Sequence, residues 1–343
     1  MSPVGSPESV LVTGAGGFIG SHLAADQHSR GRRVVALDLD PARVAHLEQP
    51  GRFEIVRGDF LDPAVARGAL SGVDTVFHLA AAHLGSRASE ADHWRVNVEG
   101  VRALADAARE AGVRRFVHCS TVGVFGRVQD PPADEDSPCR PELAYERTKL
   151  AGEVVVKAAI RDRGLPAVIL RPAWVYGPGC PRTEKLFRLV RKGRFPVAKA
   201  GDALRHCIYI RDMVEAFNRA AKAPAAVGEV IIVGDELPTT VRSLVEEIAA
   251  LVGSRPPHSL PLPVLRLAAL LGELAFRPLG KEPPISRRSI KFYTNSTAFD
   301  IAKARRVLGW NPRYDLKTGL AETFRFLSSP APWRVPLSDP ATV

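Results

Sequence analysis

The sequence predicts an α/β protein in which a doubly wound parallel sheet is followed by a smaller C-terminal lobe. Over the first 172 residues, short apolar runs alternate with amphipathic segments of helical length, which is the pattern of consecutive βαβ units. The runs are continuously apolar, as expected for parallel strands that are buried on both faces. Proline and glycine recur after residue 172, and the alternation weakens. We therefore expect residues 10–172 to form the sheet domain and residues 173–330 to form mainly the lobe, with segments that return to the sheet.

The predicted elements follow this alternation in order. Strands are predicted at residues 10–12, 34–37, 53–56, 75–79, 115–119 and 167–170, and residues 230–233 are expected to return a strand to the sheet. Amphipathic helices are predicted at residues 94–110 and 145–159. Residues 1–9, MSPVGSPES, have the composition of a flexible leader and lack the apolar centre of a signal peptide. Residues 331–343 are expected to form a tail.

Composition narrows the class of protein. With 343 residues, of which 45% are hydrophobic, the chain can bury a large core. The net charge is +10, but no nucleic-acid motif accompanies it, so we expect no nucleic-acid partner. No stretch is long and apolar enough to span a bilayer. The four cysteines have neither CxxC nor zinc-type spacing, so we expect no metal site and a reduced, cytoplasmic protein. The tightest basic cluster, expected to be a solvated helix face, comprises Lys185, Arg188, Arg191, Lys192 and Arg194.

A glycine-rich turn, TGAGGFIG at residues 13–20, follows the first predicted strand and opens a helix. In such a turn Gly14 permits the sharp bend, Gly17 lets the backbone approach a phosphate, and Gly20 allows close packing of helix and strand. The helix N-terminus attracts a pyrophosphate. Asp38 ends the next strand about twenty residues on, where a carboxylate accepts hydrogen bonds from ribose hydroxyls and repels a 2′-phosphate. These features predict a Rossmann-type site that binds NAD rather than NADP.

Tyr145 and Lys149 stand four residues apart on a predicted helix, so their side chains share one face. A nearby ammonium lowers the pKa of a phenol. Such a tyrosine can exchange a proton with a substrate hydroxyl while hydride leaves or arrives at the same carbon. The pair therefore predicts the acid/base centre of a hydride-transfer enzyme.

Further motifs appear in a fixed order between residue 13 and about residue 327. Besides the glycine turn, they are LDLD (37–40), GDF (58–60), FHLAA (77–81), NVEG (97–100), CSTVGVFG (119–126), YERTK (145–149), RPAWVYGPG (171–179), RHCIYIRD (205–212) and FDIAKARRVLGWNP (299–312). In this series the chain resembles the extended short-chain dehydrogenase/reductases, the NAD-dependent epimerase/dehydratase family.

The resemblance implies roles for individual residues. Tyr145 is the implied acid/base, and Lys149 also holds the nicotinamide ribose. Thr121 would orient the substrate oxygen, with Ser120 as the alternative one position earlier, and Asn97 would support the site. The implied cofactor contacts are Gly14, Gly17, Phe18, Ile19 and Gly20 at the pyrophosphate, Asp38 at the ribose, Asp59 and Phe60 at the adenine, Leu79 and Ala80 in the groove, and Pro172 near the nicotinamide. Many family members dimerise through a helix pair that includes the tyrosine helix, so a homodimer is expected by analogy.

Two substrate classes compete for the remaining half of the site. Arg205 occupies the position at which sugar-nucleotide members bind a diphosphate, and His83 is a second candidate substrate contact. Against this class, Ala173 and Trp174 replace the usual asparagine after the Arg-Pro pair. His206 replaces an acidic residue, and Phe125 replaces a tyrosine. The favoured substrate is a nucleotide-activated sugar.

The alternative substrate is a lipophilic ring alcohol, as in the 3β-hydroxysteroid dehydrogenases and dihydroflavonol reductases. The apolar segment from residue 260 to residue 276, followed by EPPISR, resembles the lid of those enzymes. Residues 260–280 predict a helix whose apolar face comprises Val264, Leu267, Ala268, Leu271, Leu274 and Ala275. That helix either covers the ligand cleft or meets a lipid surface. A third hypothesis, a non-catalytic NAD sensor, is disfavoured because Thr121, Tyr145 and Lys149 are all retained.

Overall fold

The structure is a computed structural model, and it describes residues 9–83, 88–198, 203–276, 290, 292 and 294–329. The strands, numbered in chain order, are β1 (Ser9–Thr13), β2 (Arg33–Asp38), β3 (Phe53–Arg57), β4 (Thr75–His78), β5 (Arg115–Cys119), β6 (Ala167–Pro172), β7 (Trp174–Tyr176), β8 (Val197–Ala198), β9 (Leu204–Arg205), β10 (Cys207–Tyr209), β11 (Val230–Val233), β12 (Thr239–Thr240) and β13 (Ser259–Leu260). The helices are α1 (Phe18–Ser29), α2 (Pro63–Ala69), α3 (Glu90–Trp94), α4 (Gly100–Glu110), α5 (Ala144–Arg163), α6 (Pro181–Arg191), α7 (Ile210–Lys222), α8 (Val241–Val252), α9 (Leu262–Phe276), α10 (Ala302–Leu308) and α11 (Leu316–Leu327).

The main sheet is parallel throughout and has the strand order β3-β2-β1-β4-β5-β6-β11. The predicted doubly wound sheet is therefore confirmed, and the return of residues 230–233 is confirmed because Val230 pairs with Ile169 of β6. Chain order reverses direction at β1, whose neighbours are β2 and β4. In open α/β sheets, ligands bind outside the carboxyl ends of the strands at such a reversal.

The sheet is buried on both faces, because its apolar strand side chains belong to two separate buried clusters. Val10 and Val12 belong to one buried cluster, whereas Leu11 between them belongs to the other, because successive strand side chains point to opposite faces. All three side chains are fully buried. The continuous apolar runs in the sequence follow directly from this two-sided burial.

The prediction of one regular α-helix over residues 94–110 is wrong. A π-helical turn, Arg95–Glu99, separates α3 from α4. One extra residue in the helical turn shifts the backbone where Asn97 must reach the chain after β4. A second boundary also differs, since Ser9 belongs to β1 rather than to the leader. Residues 1–8 and 331–343 lie outside the described residues.

Part of the chain after residue 172 packs against the sheet domain rather than standing apart from it. Helix α7 lies alongside α1, and its Asn218 is buried there. The amide Nδ2 of Asn218 donates to Asp26 at 2.9 Å, and Gln27 donates back to Asn218 at 2.7 Å. These buried polar contacts fix the second half of the chain against the cofactor-binding half.

Candidate active site

The glycine turn is closed by backbone packing that leaves no room for side chains. Gly14 has a φ of +74°, and a Cβ there would stand 2.7 Å from the backbone nitrogen of Ala80. A Cβ on Gly20 would collide with the carbonyl oxygen of Gly14, and one on Gly16 with that of Asp40. Gly17 is the N-cap of α1, so the first N–H groups of that helix face the turn. The turn therefore has the form of a pyrophosphate cradle.

Asp38 stands at the rim of this cradle. Its Oδ2 accepts a hydrogen bond from the Gly16 N–H at 2.8 Å, and its Oδ1 accepts from the Asp40 N–H at 2.9 Å. These bonds orient the carboxylate beside the glycine turn while leaving it half-exposed. This position fits the predicted contact with a ribose.

The ends of β1 and β4 are joined by Thr13, which the sequence analysis did not single out. Its hydroxyl pairs with Nδ1 of His78 at 2.8 Å and accepts from the N–H groups of Leu79 and Ala80 at 3.2 and 3.3 Å. The predicted groove residues Leu79 and Ala80 are therefore held against the glycine turn. Burial lowers the pKa of His78 to about 3, so its imidazole is neutral.

The other predicted cofactor contacts lie around the same sheet edge. Asp59 follows β3, where its Oδ1 accepts from the N–H of Leu61 at 3.0 Å. Phe60 is buried, with its ring edge-on to His78 at 5.2 Å between ring centres. Phe18 and Ile19 begin α1, and Pro172 ends β6. Their contacts with a cofactor stay predictions.

Helix α5 carries the predicted acid/base pair, and the predicted helix at residues 145–159 is confirmed within it. Lys149 is buried, and its Nζ donates to the carbonyl oxygen of Cys119 at 2.6 Å. This bond ties α5 to the end of β5. The ring of Tyr145 lies against His93, with 6.3 Å between ring centres. The pair thus lies at the carboxyl edge of the sheet, as does the glycine turn.

The expected effect of Lys149 on Tyr145 is not found. Burial raises the pKa of Tyr145, with smaller contributions from Cys119 and Glu146, and Arg182 opposes the shift. The ammonium of Lys149 bonds to a carbonyl instead, and burial lowers its own pKa. In this state, therefore, Tyr145 holds its proton more tightly than a free phenol does.

The two hydroxyls after β5 have separate surroundings. Thr121 is half-exposed and caps a 3₁₀ turn, Val122–Phe125, by accepting from the Gly123 N–H at 3.0 Å. Ser120 is buried and donates to Glu153 at 2.5 Å. Since the hydroxyl of Ser120 is already engaged in the interior, Thr121 is the better candidate for contact with a substrate.

Behind this loop lies a buried ion pair that the sequence analysis missed. Glu153 accepts from Arg171 through Nε at 2.9 Å and Nη2 at 2.7 Å, and both side chains are almost fully buried. The guanidinium carbon also lies 4.9 Å from the ring centre of Phe125. A signal was present, because Glu153 follows Lys149 by four residues on the same helical face.

Asn97 occupies the π-helical turn. Its Oδ1 accepts from the N–H of Ala82 at 2.9 Å, and its Nδ2 donates to the carbonyl of Ala82 at 3.0 Å and to Thr148 at 3.1 Å. His93 also donates to the Ala82 carbonyl at 3.0 Å. Asn97 therefore connects the chain after β4 to α5, which agrees with the supporting role that the resemblance implies.

Arg205 does not have the open position expected of a diphosphate ligand. It is buried, and its guanidinium donates to the carbonyl oxygens of Phe292, Leu204 and Asn295, the last at 2.6 Å. It also lies over the ring of Phe292 at 4.5 Å. Its hydrogen bonds hold β9 against Phe292 and Asn295, so the structure gives it a packing role. His83, by contrast, is exposed at the site.

Arg182 differs from Arg205 because its guanidinium is exposed rather than buried among carbonyl groups. It lies in the first turn of α6. Burial raises the pKa of Tyr145 and lowers that of His83, and the charge of Arg182 opposes the first shift and adds to the second. The loop before α6 is held to the cofactor half, because Arg43 donates to Gly179 at 3.0 Å and His22 donates to Pro178 at 2.9 Å. Sequence reasoning missed Arg182 because nothing in its spacing distinguishes it from its basic neighbours.

This combination of a doubly wound sheet, a glycine cradle with its acidic neighbour, and a tyrosine–lysine helix defines a dinucleotide-dependent enzyme. The model of the NAD-dependent epimerase/dehydratase family matches residues 10–234, and the chain belongs to that family, whose cofactor is NAD.

Relatives in this family include nucleotide-sugar and steroid enzymes. The chain is 34% identical to UDP-glucose 4-epimerase of Mycolicibacterium smegmatis, over 92% of this chain and 97% of that protein. It is 30% identical to 3 beta-hydroxysteroid dehydrogenase/Delta 5→4-isomerase of Mycobacterium tuberculosis, over 93% and 90%. The solved structure of MoeE5 in complex with UDP-glucuronic acid and NAD superimposes with a TM-score of 0.73 and 30% identity, covering 93% of this chain and 98% of that one. Helices long and apolar enough to cross a membrane are absent from the part of the chain that the structure describes.

Proposed function

We propose that this protein uses NAD to oxidise a secondary alcohol of a nucleotide-activated sugar and completes an epimerisation or dehydration. The observation that supports the proposal is the bond from Lys149 to the Cys119 carbonyl, since it ties the helix that carries Tyr145 to the strand end that precedes Thr121. The chain is similar over most of its length to a UDP-glucose 4-epimerase and a dTDP-glucose 4,6-dehydratase, and these relatives support this substrate class.

Thr121, Tyr145 and Arg182 have separate roles in the proposed proton transfer. When bound, NAD supplies the hydride acceptor and, in its oxidised form, a positive charge. Thr121 holds the substrate oxygen by a hydrogen bond, and Tyr145, once it has lost its own proton to become a phenolate, takes the proton from that oxygen as the carbon–hydrogen bond breaks. Because burial raises the pKa of Tyr145, positive charge near it promotes the reaction by stabilising the phenolate. Arg182 contributes such a charge.

Arg182 is also our candidate for binding the diphosphate. A guanidinium at the start of a helix offers a bidentate fork to phosphate oxygens and adds to the positive end of the helix dipole. Helix α6 continues with Lys185 and Arg188, both exposed, so the helix that begins with Arg182 is basic. This arrangement favours an anionic substrate.

The test is turnover with NAD and each of UDP-glucose, UDP-glucuronic acid and dTDP-glucose, with products separated by chromatography. Replacing Tyr145 with Phe should lower the rate by about 10²–10⁴-fold while NAD binding, measured by calorimetry, stays unchanged. Tyr314→Phe, which removes a hydroxyl bonded to Arg211, is the matched control. If Tyr145→Phe retains most of the wild-type rate, the acid/base assignment is wrong.

A specific observation favours a second candidate, oxidation of a lipophilic ring alcohol. Arg205 is engaged with backbone carbonyls and lies over the ring of Phe292. Trp174 stands edge-on to Phe292 with 6.2 Å between ring centres, so this region is aromatic. Replacing Arg182 with Gln separates the candidates. It should raise the KM for a nucleotide sugar at least about tenfold and leave the KM for a 3β-hydroxysteroid unchanged.

We further infer that the protein works in a reducing compartment such as the cytoplasm, because all four cysteines are free.

We also infer a homodimer. Val154 on α5 is 61% exposed, which suits a contact between copies through this helix. Sedimentation should show a dimer that Val154→Glu converts to a monomer.

A further inference from the structure

Helix α9 has apolar side chains on the side that faces away from the protein. Its side chains at Leu265 and Ala269 are fully buried and anchor it to the lobe. Five other apolar side chains of the same helix are exposed, namely Val264 at 48%, Leu267 at 57%, Leu270 at 38%, Leu271 at 56% and Leu274 at 59%. This concentration on one helix distinguishes α9 from isolated exposed leucines elsewhere, which are ordinary at a protein surface.

The exposed residues lie opposite the anchor. Leu267 is two residues from both Leu265 and Ala269, which places it about 180° around the helix from them. Leu271 and Leu274 follow on the same side one and two turns later. We call Val264, Leu267, Leu271 and Leu274 the outward leucine face. These residues share one face of the helix, as predicted from their spacing, and that face points outward rather than onto the protein.

Basic residues adjoin the start of this helix. Strand β13, which leads into α9, pairs with β8, and the N–H of Val197 donates to the carbonyl of His258 at 2.9 Å. A shallow depression there is lined by Arg191, Lys192, Arg255 and His258. The basic cluster, Lys185, Arg188, Arg191, Lys192 and Arg194, is entirely exposed, with Glu184 as its one acidic neighbour on α6. Arg266 and Glu273 stand beside the outward leucine face on α9.

These two features together match the chemistry of an anionic lipid surface. A helix that lies in the bilayer interface buries an apolar face at the headgroup boundary, and nearby lysine and arginine side chains contact anionic headgroups. At 15 residues, α9 is about 22 Å long, too short to span the hydrocarbon core. We propose that the lobe attaches peripherally to an anionic bilayer, with the outward leucine face in the interface and the basic cluster against the headgroups.

The experiment is co-sedimentation of the full chain with phosphatidylcholine vesicles, with and without phosphatidylglycerol. We expect binding to the anionic vesicles that weakens as salt is raised, and weaker binding to the neutral ones. The double variant Leu267→Glu/Leu271→Glu should reduce binding about tenfold for each leucine. Arg191→Gln/Lys192→Gln should reduce binding to the anionic vesicles and leave binding to the neutral ones unchanged.

The matched control is Leu237→Glu, which places the same charge at a leucine that is 76% exposed between β11 and β12. It should bind vesicles as wild type does. NAD affinity, measured on every variant, reports folding, and Leu271→Gln carries the same test if the double variant unfolds. Failure of wild type to bind anionic vesicles, or full binding by both leucine variants, overturns the proposal. A dimer that the leucine substitutions dissociate, while Val154→Glu does not, would also overturn it, because a second copy would then cover α9.

Discussion

The buried pair of Glu153 and Arg171 offers a measurement whose size follows from the structure. Replacing Glu153 with Gln keeps the shape of the side chain but removes its charge. The side chains of Glu153 and Arg171 are 0% and 3% exposed, so water cannot replace the lost partner. A cation left buried without its counter-charge costs about 3–5 kcal/mol. The substitution should therefore lower the free energy of unfolding by that amount.

Two further variants separate the contribution of the buried charge from that of a single hydrogen bond. Ser120→Ala removes one hydrogen bond to the same carboxylate, which is worth about 1.5–3 kcal/mol. Glu153→Leu combined with Arg171→Met removes both charges and should cost much less than either single change, because no buried charge stays unpaired.

Urea unfolding monitored by circular dichroism measures all of these variants. Glu246→Gln is the surface control, because that carboxylate is 48% exposed and lies 3.8 Å from Arg242, and it should change stability by less than about 1 kcal/mol. A loss of less than about 1 kcal/mol for Glu153→Gln would refute the reasoning, since it would mean that the pair is hydrated in solution.

Three other predictions concern the cradle, the cofactor preference and pH. Gly20→Ala should abolish NAD binding because its Cβ would collide with the carbonyl of Gly14, whereas Gly68→Ala, in open space on α2, should leave calorimetric NAD affinity intact; equal affinities would contradict the cradle. Asp38→Ser should lower kcat/KM with NAD by about 10–100-fold and improve the relative use of NADP, and an unchanged ratio would count against the ribose contact. His118 is buried, and burial lowers its pKa well below 6.5, so unfolding takes up a proton there as the pH falls below about 6.5. Wild type should therefore lose stability relative to His118→Phe by up to about 1.4 kcal/mol per pH unit in acid, and parallel pH curves in urea melts would exclude this source.

Much of the architecture could be predicted from the sequence because each informative pattern lies within a short stretch of the chain. The apolar runs, the glycine turn and the acidic residue that ends β2 are short stretches whose periodicity and spacing reflect their own burial and backbone geometry. Tyr145 and Lys149 share a face on any regular helix of that stretch, so their pairing needed no long-range information. The π-helical turn at Asn97 was not readable, because it depends on the chain after β4, which lies fifteen residues away.

The sequence by itself determined the doubly wound sheet, the family and the NAD-binding turn, since these depend on local patterns repeated along the chain. Only the tertiary structure decided what each charged group faces. It buried Arg205 among carbonyls, placed Arg182 where its charge opposes the rise in the pKa of Tyr145, and turned the apolar face of α9 outward. It also buried Tyr145, which raises the pKa of that phenol. The physical reason is that desolvation and charge pairing depend on neighbours far away in sequence, so spacing alone does not fix them.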